Sequence, residues 1–158
     1  MFPRKIVSLL WPSVLLGCSV NAQVFLETGL STAKCLAATS LANGAAVAVE
    51  DCGNATSLNS WTANGSTFSL NDGAFCLDVT NGVDADGTKL QVWACTPGDT
   101  NQDFSFTDVR DGTMIQWFGA TSKVCVDVTD GIITDGNQVQ VWDCDPNNNH
   151  QIFEGIPV

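Results

Sequence analysis

The sequence predicts an all-β domain built from three copies of one disulfide-bonded unit. The second copy reads Cys-Leu-Asp-Val at 76–79 and Leu-Gln-Val-Trp-Ala-Cys at 90–95, and the third reads Cys-Val-Asp-Val at 125–128 and Val-Gln-Val-Trp-Asp-Cys at 139–144. A degenerate first copy runs from Cys35 to Cys52. Short runs rich in Val, Phe, Trp and Thr alternate with Asn-Gly and Asp-Gly turns, with no helical apolar period. Such a repeat indicates units that share one core.

The first 22 residues have the features of a secretory signal. Arg4 and Lys5 precede an apolar stretch, and Val20-Asn21-Ala22 supplies the small residues of a cleavage site. Residues 15–18, Leu-Leu-Gly-Cys, also resemble a bacterial lipoprotein box, in which case a lipid on Cys18 anchors the product to a membrane. We therefore expect a secreted, extracellular protein, with the anchored form as the alternative.

Residues 23–158 are expected to form one domain, with repeats at about 24–64, 65–111 and 112–158. Each repeat offers four strand-like runs, which gives about twelve strands. They are 24–27, 34–38, 46–50 and 60–63 in the first repeat, 67–70, 75–79, 90–94 and 104–107 in the second, and 114–118, 124–128, 139–143 and 151–154 in the third. No connection is long enough to separate the units, so they bury one another's apolar faces.

The cysteines beyond the signal are even in number, which predicts a disulfide framework. The repeat selects the pairs Cys35–Cys52, Cys76–Cys95 and Cys125–Cys144. If each disulfide joins directly opposed residues of a hairpin, Asp78 lies opposite Trp93 in the second repeat. Gln91 shares that face, whereas Val92 points to the core. The third repeat has the same spacing.

Composition excludes several functions. Without the signal the chain keeps four basic and 17 acidic residues, which repel phosphate backbones, so nucleic acid is not an expected partner. One histidine, His150, cannot build a Ser-His-Asp triad or a histidine-rich metal site, and no metal or cofactor is expected. Residues 84–87, Asp-Ala-Asp-Gly, lack the closing Glu of a calcium loop and are predicted to form a turn. The site carboxylates are expected to be exposed, and such groups seldom have the raised pKa of a general acid, so no enzyme is predicted.

A carboxylate beside an exposed indole, with amides nearby, is a sugar-binding combination. The apolar face of a pyranose stacks on an aromatic ring, and its hydroxyls donate to the carboxylate and accept from amide N–H groups. The alternative is that both tryptophans belong to the core. Two observations favour binding. The first copy has Ala37 and Glu50 where the others have Asp and Trp, and each repeat has a separate core aromatic, namely Trp61, Phe104 and Phe153.

These segments, together with Asn-Gln-Asp-Phe at 101–104 and His-Gln-Ile-Phe at 150–153, resemble the ricin-B-type β-trefoil lectin family over residues 24–158. The resemblance implies twelve strands in three sectors, six forming a short barrel and six capping it. It also implies that Asp78 accepts bonds from sugar hydroxyls, Trp93 is the stacking platform and Asn101 donates, while Gln91 and Gln102 support or touch the ligand. The matching third-sector residues are Asp127, Gln140, Trp142, His150 and Gln151.

The predicted function is therefore a secreted lectin that binds galactose- or N-acetylgalactosamine-type glycans at one or two shallow sites without catalysis. The second sector is expected to be strongest, because His150 replaces Asn in the third and the first lacks the site residues. Two alternatives remain open: a module that binds wall polysaccharide, and a β-trefoil inhibitor or structural protein with relic sites. Sequons at Asn54 and Asn64 are compatible with a glycoprotein.

Overall fold

The computed structural model describes residues 22–54, 56, 58–105 and 112–158. Twelve strands follow in order: β1 (Ala22–Thr28), β2 (Ser31–Ala38), β3 (Ala45–Asp51), β4 (Trp61–Asn64), β5 (Thr67–Leu70), β6 (Phe75–Val79), β7 (Leu90–Ala94), β8 (Thr113–Met114), β9 (Gln116–Trp117), β10 (Val124–Asp127), β11 (Gln140–Asp143) and β12 (Ile152–Pro157). In the described part of the chain, four three-residue 3-10 turns lie between the strands, at Thr80–Gly82, Thr100–Gln102, Thr129–Gly131 and Asn149–Gln151. The predicted signal segment and Cys18 lie outside the described residues, apart from the backbone of Ala22.

The strands form the β-trefoil that the motifs predict. Nine of them make one sheet in the order β2-β3-β7-β6-β5-β4-β1-β12-β8, and a further pairing of β1 with β2 curls the sheet towards closure. The other three form a second sheet, β11-β10-β9. Strand β1 is the central element, because it pairs with β12, β4 and β2. Within the described ranges no helix is long and apolar enough to cross a membrane.

Two predicted strands differ from the structure. Residues 104–107 were expected to form a strand, but Phe104 makes only an isolated bridge to Trp117, and residues 106–111 lie outside the described part. Residues 114–118 were expected to form one strand, but Ile115 divides it into β8 and β9. The cause is a change of partner: β8 pairs with β12, whereas β9 pairs with β10.

Three hairpins cap the barrel, one per repeat, and they are joined in a ring. The hairpins are β2–β3, β6–β7 and β10–β11. Each faces the hairpin of the next repeat at one equivalent position, through the pairs Ala46 with Gln91, Lys89 with Gln140 and Gln138 with Ala48. The ring makes the three repeats interdependent, as the short connections require.

A glycine turn stands at each junction of the ring. The backbone N–H groups of Gly44, Gly87 and Gly136 donate to the carbonyls of Val92, Val141 and Val49, over 3.0, 2.9 and 2.9 Å. The φ angles of these glycines are +83°, +85° and +84°, a left-handed conformation that glycine adopts without steric cost. The same contact therefore recurs at all three repeat boundaries.

The core is one cluster of buried side chains to which all three repeats contribute. Trp61, Phe104 and Phe153, the predicted core aromatics, are fully buried, and Val92 points inward as predicted. Trp117 is also buried, and its indole N–H donates to the carbonyl of Thr100 over 2.7 Å. Burying such aromatic side chains supplies much of the hydrophobic free energy of a small domain.

The predicted disulfides are confirmed, but the predicted hairpin register is wrong. All three bridges lie within repeats, at Cys35–Cys52, Cys76–Cys95 and Cys125–Cys144. The residue opposite Cys76 is Trp93, and the residue opposite Asp78 is Gln91. The reason is that Cys95 lies just beyond the end of β7, so the disulfide crosses the hairpin diagonally. The third repeat shows the same offset.

Candidate functional site

Strands β6 and β7 place the predicted second-sector residues on one face. Asp78 pairs with Gln91, and Trp93 lies two residues further along the same face. The Asp78 side chain is buried, with 3% of its surface exposed, whereas Trp93 is 41% exposed. The expectation of an exposed carboxylate is therefore wrong, and the expectation of an exposed indole is confirmed.

Two amides hold the Asp78 carboxylate. Gln91 Nε2 donates to Oδ1 over 2.8 Å, and Gln102 Nε2 donates to Oδ2 over 3.1 Å. Burial raises the pKa of Asp78 above its ordinary value; the two amide bonds act in the opposite direction, and the nearby Asp99 charge adds to the increase. Each carboxylate oxygen retains capacity for a further donor, because an ionised carboxylate has about four acceptor positions.

Gln102 is a structural support rather than a free ligand contact. Its side chain is 1% exposed, its Oε1 accepts from the backbone N–H of Thr96 over 3.0 Å, and its Nε2 also donates to the carbonyl of Ala94 over 3.2 Å. These bonds tie the 3-10 turn that carries Asn101 to the end of β7. Gln102 thus fixes both the carboxylate and the neighbouring turn.

Asn101 is positioned by two residues that the motifs do not include. Its backbone N–H donates to Asp99 Oδ1 over 3.0 Å. Its side chain packs against Gly82, whose φ is +60°, and a β-carbon at that position would collide with the Asn101 amide. The Asn-Gly pair at 81–82 is the sequence signal for this kink, since Asn81 also has a positive φ, of 56°.

The first repeat supplies the wall beside Trp93. A β-carbon on Gly44 would lie 3.8 Å from Cζ3 of the indole, which is ordinary van der Waals contact. Asn43 Oδ1 accepts from the backbone N–H of Ala94 over 2.8 Å, at the end of the strand that carries Trp93. The second-sector site is therefore built by two repeats.

The third sector repeats this arrangement. Asp127 is 3% exposed and Trp142 is 43% exposed. Gln140 Nε2 donates to Asp127 Oδ1 over 3.0 Å, and Gln151 Nε2 donates to Oδ2 over 3.2 Å. Asn148, at the position of Asp99, adds a third amide donor to Oδ2 over 3.3 Å. The neighbouring repeat again contributes the wall, in which Gly87 lies beside the Trp142 indole.

His150 and Lys89 give the third sector side-chain chemistry that the second lacks. His150 takes the place of Asn101 and packs against Gly131 as Asn101 packs against Gly82. Lys89, from the second repeat, donates through Nζ to Gln140 Oε1 over 3.1 Å and to Thr129 Oγ1 over 2.7 Å. The pattern of the motifs did not single out Lys89, because it belongs to the preceding repeat.

Among its described residues, the first sector has no comparable arrangement. Ala37 pairs with Ala48 at the positions of Asp78 and Gln91, and both are fully buried. Glu50 stands where the other sectors have tryptophan. Glu27 lies close to the sulfurs of Cys35 and Cys52, but these sulfurs are joined in a disulfide and are not thiolate ligands for a metal.

A model of the ricin-type beta-trefoil lectin domain matches residues 23–153. Comparison with curated protein sequences gives no match. Among solved structures, the chain is similar to ThreeFoil, a designed threefold-symmetric protein, with a TM-score of 0.73, 19% identity, and coverage of 86% of this chain and 99% of that one.

Two natural structures show the same fold. The C-half of an earthworm R-type lectin, in complex with GalNAc, has a TM-score of 0.67 and 15% identity, over 87% of this chain and 99% of that one. An exo-beta-1,3-galactanase from Clostridium thermocellum has a TM-score of 0.73 and 22% identity, over 88% of this chain but only 31% of the enzyme. Since the family model spans all three repeats, the chain belongs to the ricin-type β-trefoil lectin family and is a carbohydrate-binding protein.

Proposed function

We propose that this protein is a secreted, non-catalytic lectin that binds galactose- or N-acetylgalactosamine-type glycans in its second and third sectors. One observation carries the proposal. In each of these sectors a buried carboxylate, held by two glutamine amides, shares a strand face with an indole that is more than 40% exposed. An exposed indole of this size on a small domain is a feature of binding surfaces.

The proposal gives each second-sector residue a role. Trp93 offers its exposed ring to the apolar face of a sugar. Asp78 accepts from one or two sugar hydroxyls through the acceptor positions that Gln91 and Gln102 leave open. Asn101 lies on the adjacent turn and donates or accepts at a further hydroxyl. Because the carboxylate and the turn are fixed by hydrogen bonds before binding, little side-chain entropy is lost on association.

The hydrogen bonds that Asp78 and Asp99 accept support binding without catalysis. Glycoside hydrolysis requires two carboxyl groups that flank the scissile bond, one of them acting as an acid. Asp78 is engaged as a double acceptor by two amides, and its neighbour Asp99 accepts the backbone N–H of Asn101. Both oxygens of Asp78 thus already act as acceptors, which suits this residue to receive hydrogen bonds from sugar hydroxyls.

The sugar class and the location rest on further support. The similar earthworm lectin structure contains GalNAc, and the similar galactanase acts on a β-1,3-galactan. Three disulfides in a chain of this size favour an oxidising compartment. Sequencing the N-terminus of the protein released by its host tests secretion, with Gln23 as the expected first residue.

A glycan array tests the binding function. The array should carry galactosides, N-acetylgalactosaminides and β-1,3-galactan, and we expect the purified domain to bind the first two groups. Trp93→Ala and Trp142→Ala should each weaken binding, and the double variant should lose it. Phe118→Ala is the matched control, since Phe118 is also an exposed aromatic, at 53%, but is not one of the predicted site residues. Binding to galactan alone favours a wall-polysaccharide module, and binding by the double variant rejects these sites.

A further inference from the structure

Lys89 is a cation that the second repeat places within the third-sector site. It follows Gly87 by two residues, and its backbone faces Gln140 across the repeat boundary. Its Nζ bonds to Gln140 Oε1 and to Thr129 Oγ1. Gln140 also holds the Asp127 carboxylate, and Thr129 begins the 3-10 turn that follows Asp127. The ammonium group therefore bonds directly to one predicted site residue, Gln140, which in turn holds another, Asp127.

The charge of Lys89 has no direct counter-ion. Both acceptors of its Nζ are neutral oxygens, and the ion pairs of residues 22–54, 56, 58–105 and 112–158 involve Lys34 instead. An ammonium group has three N–H donors, so one remains free for a ligand. Because Lys89 is half-buried, an unpaired charge there carries a desolvation cost that an anionic ligand would offset.

The second sector lacks this cation. The residue that faces Gln91 from the neighbouring repeat is Ala46, at the position of Lys89. A β-carbon on Gly44 of that repeat would lie 3.8 Å from Gln91 Oε1. The Gln91 carbonyl is thus open to a sugar hydroxyl, whereas the Gln140 carbonyl is already occupied by the ammonium group.

Other charged residues near the third site also differ from their counterparts near the second site, and the differences both remove and add negative charge. Asn148 replaces Asp99, which removes a carboxylate beside the site. Asp130 and Asp143 replace Asn81 and Ala94, but both are exposed, and water and salt screen exposed charges strongly. The half-buried Lys89 is screened less.

We propose that Lys89 makes the third-sector site selective for glycans that carry an anionic group, a carboxylate or a sulfate ester, next to the stacked sugar. The second-sector site takes the neutral sugar. This inference rests on the proposed function, because it names the ligand class of one of the two sites.

Single-site variants test the inference. Trp93→Ala leaves the third site intact, and Trp142→Ala leaves the second. Each is titrated calorimetrically with methyl β-galactoside, its 3-O-sulfate and methyl galacturonide. Trp93→Ala should bind an anionic probe about tenfold more tightly than the neutral one, since a charge-assisted hydrogen bond is roughly twice as strong as a neutral one. Preference for only the sulfate or only the uronate supports the inference and identifies the anionic group.

Two further variants examine Lys89 itself. Lys89→Gln, added to Trp93→Ala, should remove the preference while the protein stays folded. Ala46→Lys, added to Trp142→Ala, should create the preference in the second site. Equal binding of neutral and anionic probes by Trp93→Ala, or a preference that survives Lys89→Gln, overturns this inference alone. Absence of glycan binding by the wild-type protein overturns the proposed function as well.

Discussion

Asp78 is a carboxylate that is largely removed from water by the residues that position it. Its two oxygens accept from Gln91 and Gln102, and burial raises its pKa. Trp93, on the same face, is less embedded in the fold because it is 41% exposed. The two residues at the centre of the site therefore differ in how much of the fold depends on them.

Substitution of these two residues should separate stability from binding. Asp78→Ala leaves two amide donors without their acceptor, and we expect the free energy of unfolding to fall by about 1–3 kcal/mol. Trp93→Ala should abolish second-site binding with a loss of only about 0.5–1 kcal/mol, as is usual for an exposed position. Urea unfolding of both variants checks this. Unfolding of Trp93→Ala with sugar affinity retained would instead assign Trp93 to the core.

As the pH is lowered, sugar affinity at the second site should fall at a higher pH than it would if Asp78 had the pKa of an ordinary aspartate. Binding as proposed requires ionised Asp78, and its pKa lies above the ordinary value of 3.8. Affinity should therefore fall as the pH decreases through that raised pKa. The effect on folding stability has the opposite direction. Because the pKa of Asp78 is raised in the folded state, its contribution to stability is present below the unfolded-state pKa and is lost as the pH rises through the folded-state pKa. Titration of a galactoside into Trp142→Ala across this range measures the first effect. Constant affinity down to about pH 4 contradicts it.

At the scale of an element, the 3-10 turn Thr80–Gly82 connects backbone conformation to binding. Gly82 has a φ of +60° and packs directly against Asn101. Only a residue without a β-carbon satisfies both conditions. The turn thus holds Asn101 at the edge of the site.

Alanine at this turn can be compared with alanine at a turn of equal backbone strain. Gly65, in the β4–β5 turn, also has a φ of +60° but nothing within 4 Å of its β-carbon position. Both substitutions should cost about 1–2 kcal/mol of stability. Only Gly82→Ala displaces Asn101, so only Gly82→Ala should reduce galactoside affinity, measured by calorimetry on Trp142→Ala. Equal effects of the two substitutions on affinity would show that the Asn101 contact is not needed.

Strand positions were predictable where turn residues lie at both ends of the strand. The predicted runs 67–70, 75–79 and 90–94 coincide with β5, β6 and β7. The register was not predictable, because Cys95 lies beyond β7 and the sequence does not reveal that the disulfide crosses diagonally. At Phe104 the predicted strand is only an isolated bridge to Trp117, a residue of the next repeat whose position no local pattern encodes.

The candidate site was predictable only in part. The spacing of Asp78, Gln91 and Trp93 within one repeat places them on one face, as the structure shows. The contributions of Gly44 and Lys89 come from a preceding repeat and depend on the ring of hairpins. A repeat read by itself contains no signal for a residue that acts on its neighbour.

At the scale of the whole molecule, two sectors carry a complete carboxylate–indole pair and lie in different parts of the trefoil. One molecule should therefore bridge two glycans, and the apparent affinity for a multivalent surface should exceed the single-site affinity by about 100-fold or more. Agglutination by the wild-type monomer of beads that carry both galactose and its 3-O-sulfate tests this. Trp93→Ala and Trp142→Ala should each abolish agglutination while retaining binding to soluble sugar. Agglutination by either single variant would indicate a third site or a self-associating protein.

Because of the glycine turns at the junctions of the ring, each site is built from two neighbouring sequence repeats. The second repeat carries the indole of its own site and the wall of the third-sector site, while the wall of its own site comes from the first repeat, so no single copy holds a complete site. An ancestral single copy could form a complete site only by assembling with other copies, as separate chains or after duplication in one chain. Mutational drift then has a directional effect at one position: a change two residues after the glycine, at Ala46 or Lys89, acts on the glutamine of the following repeat's site.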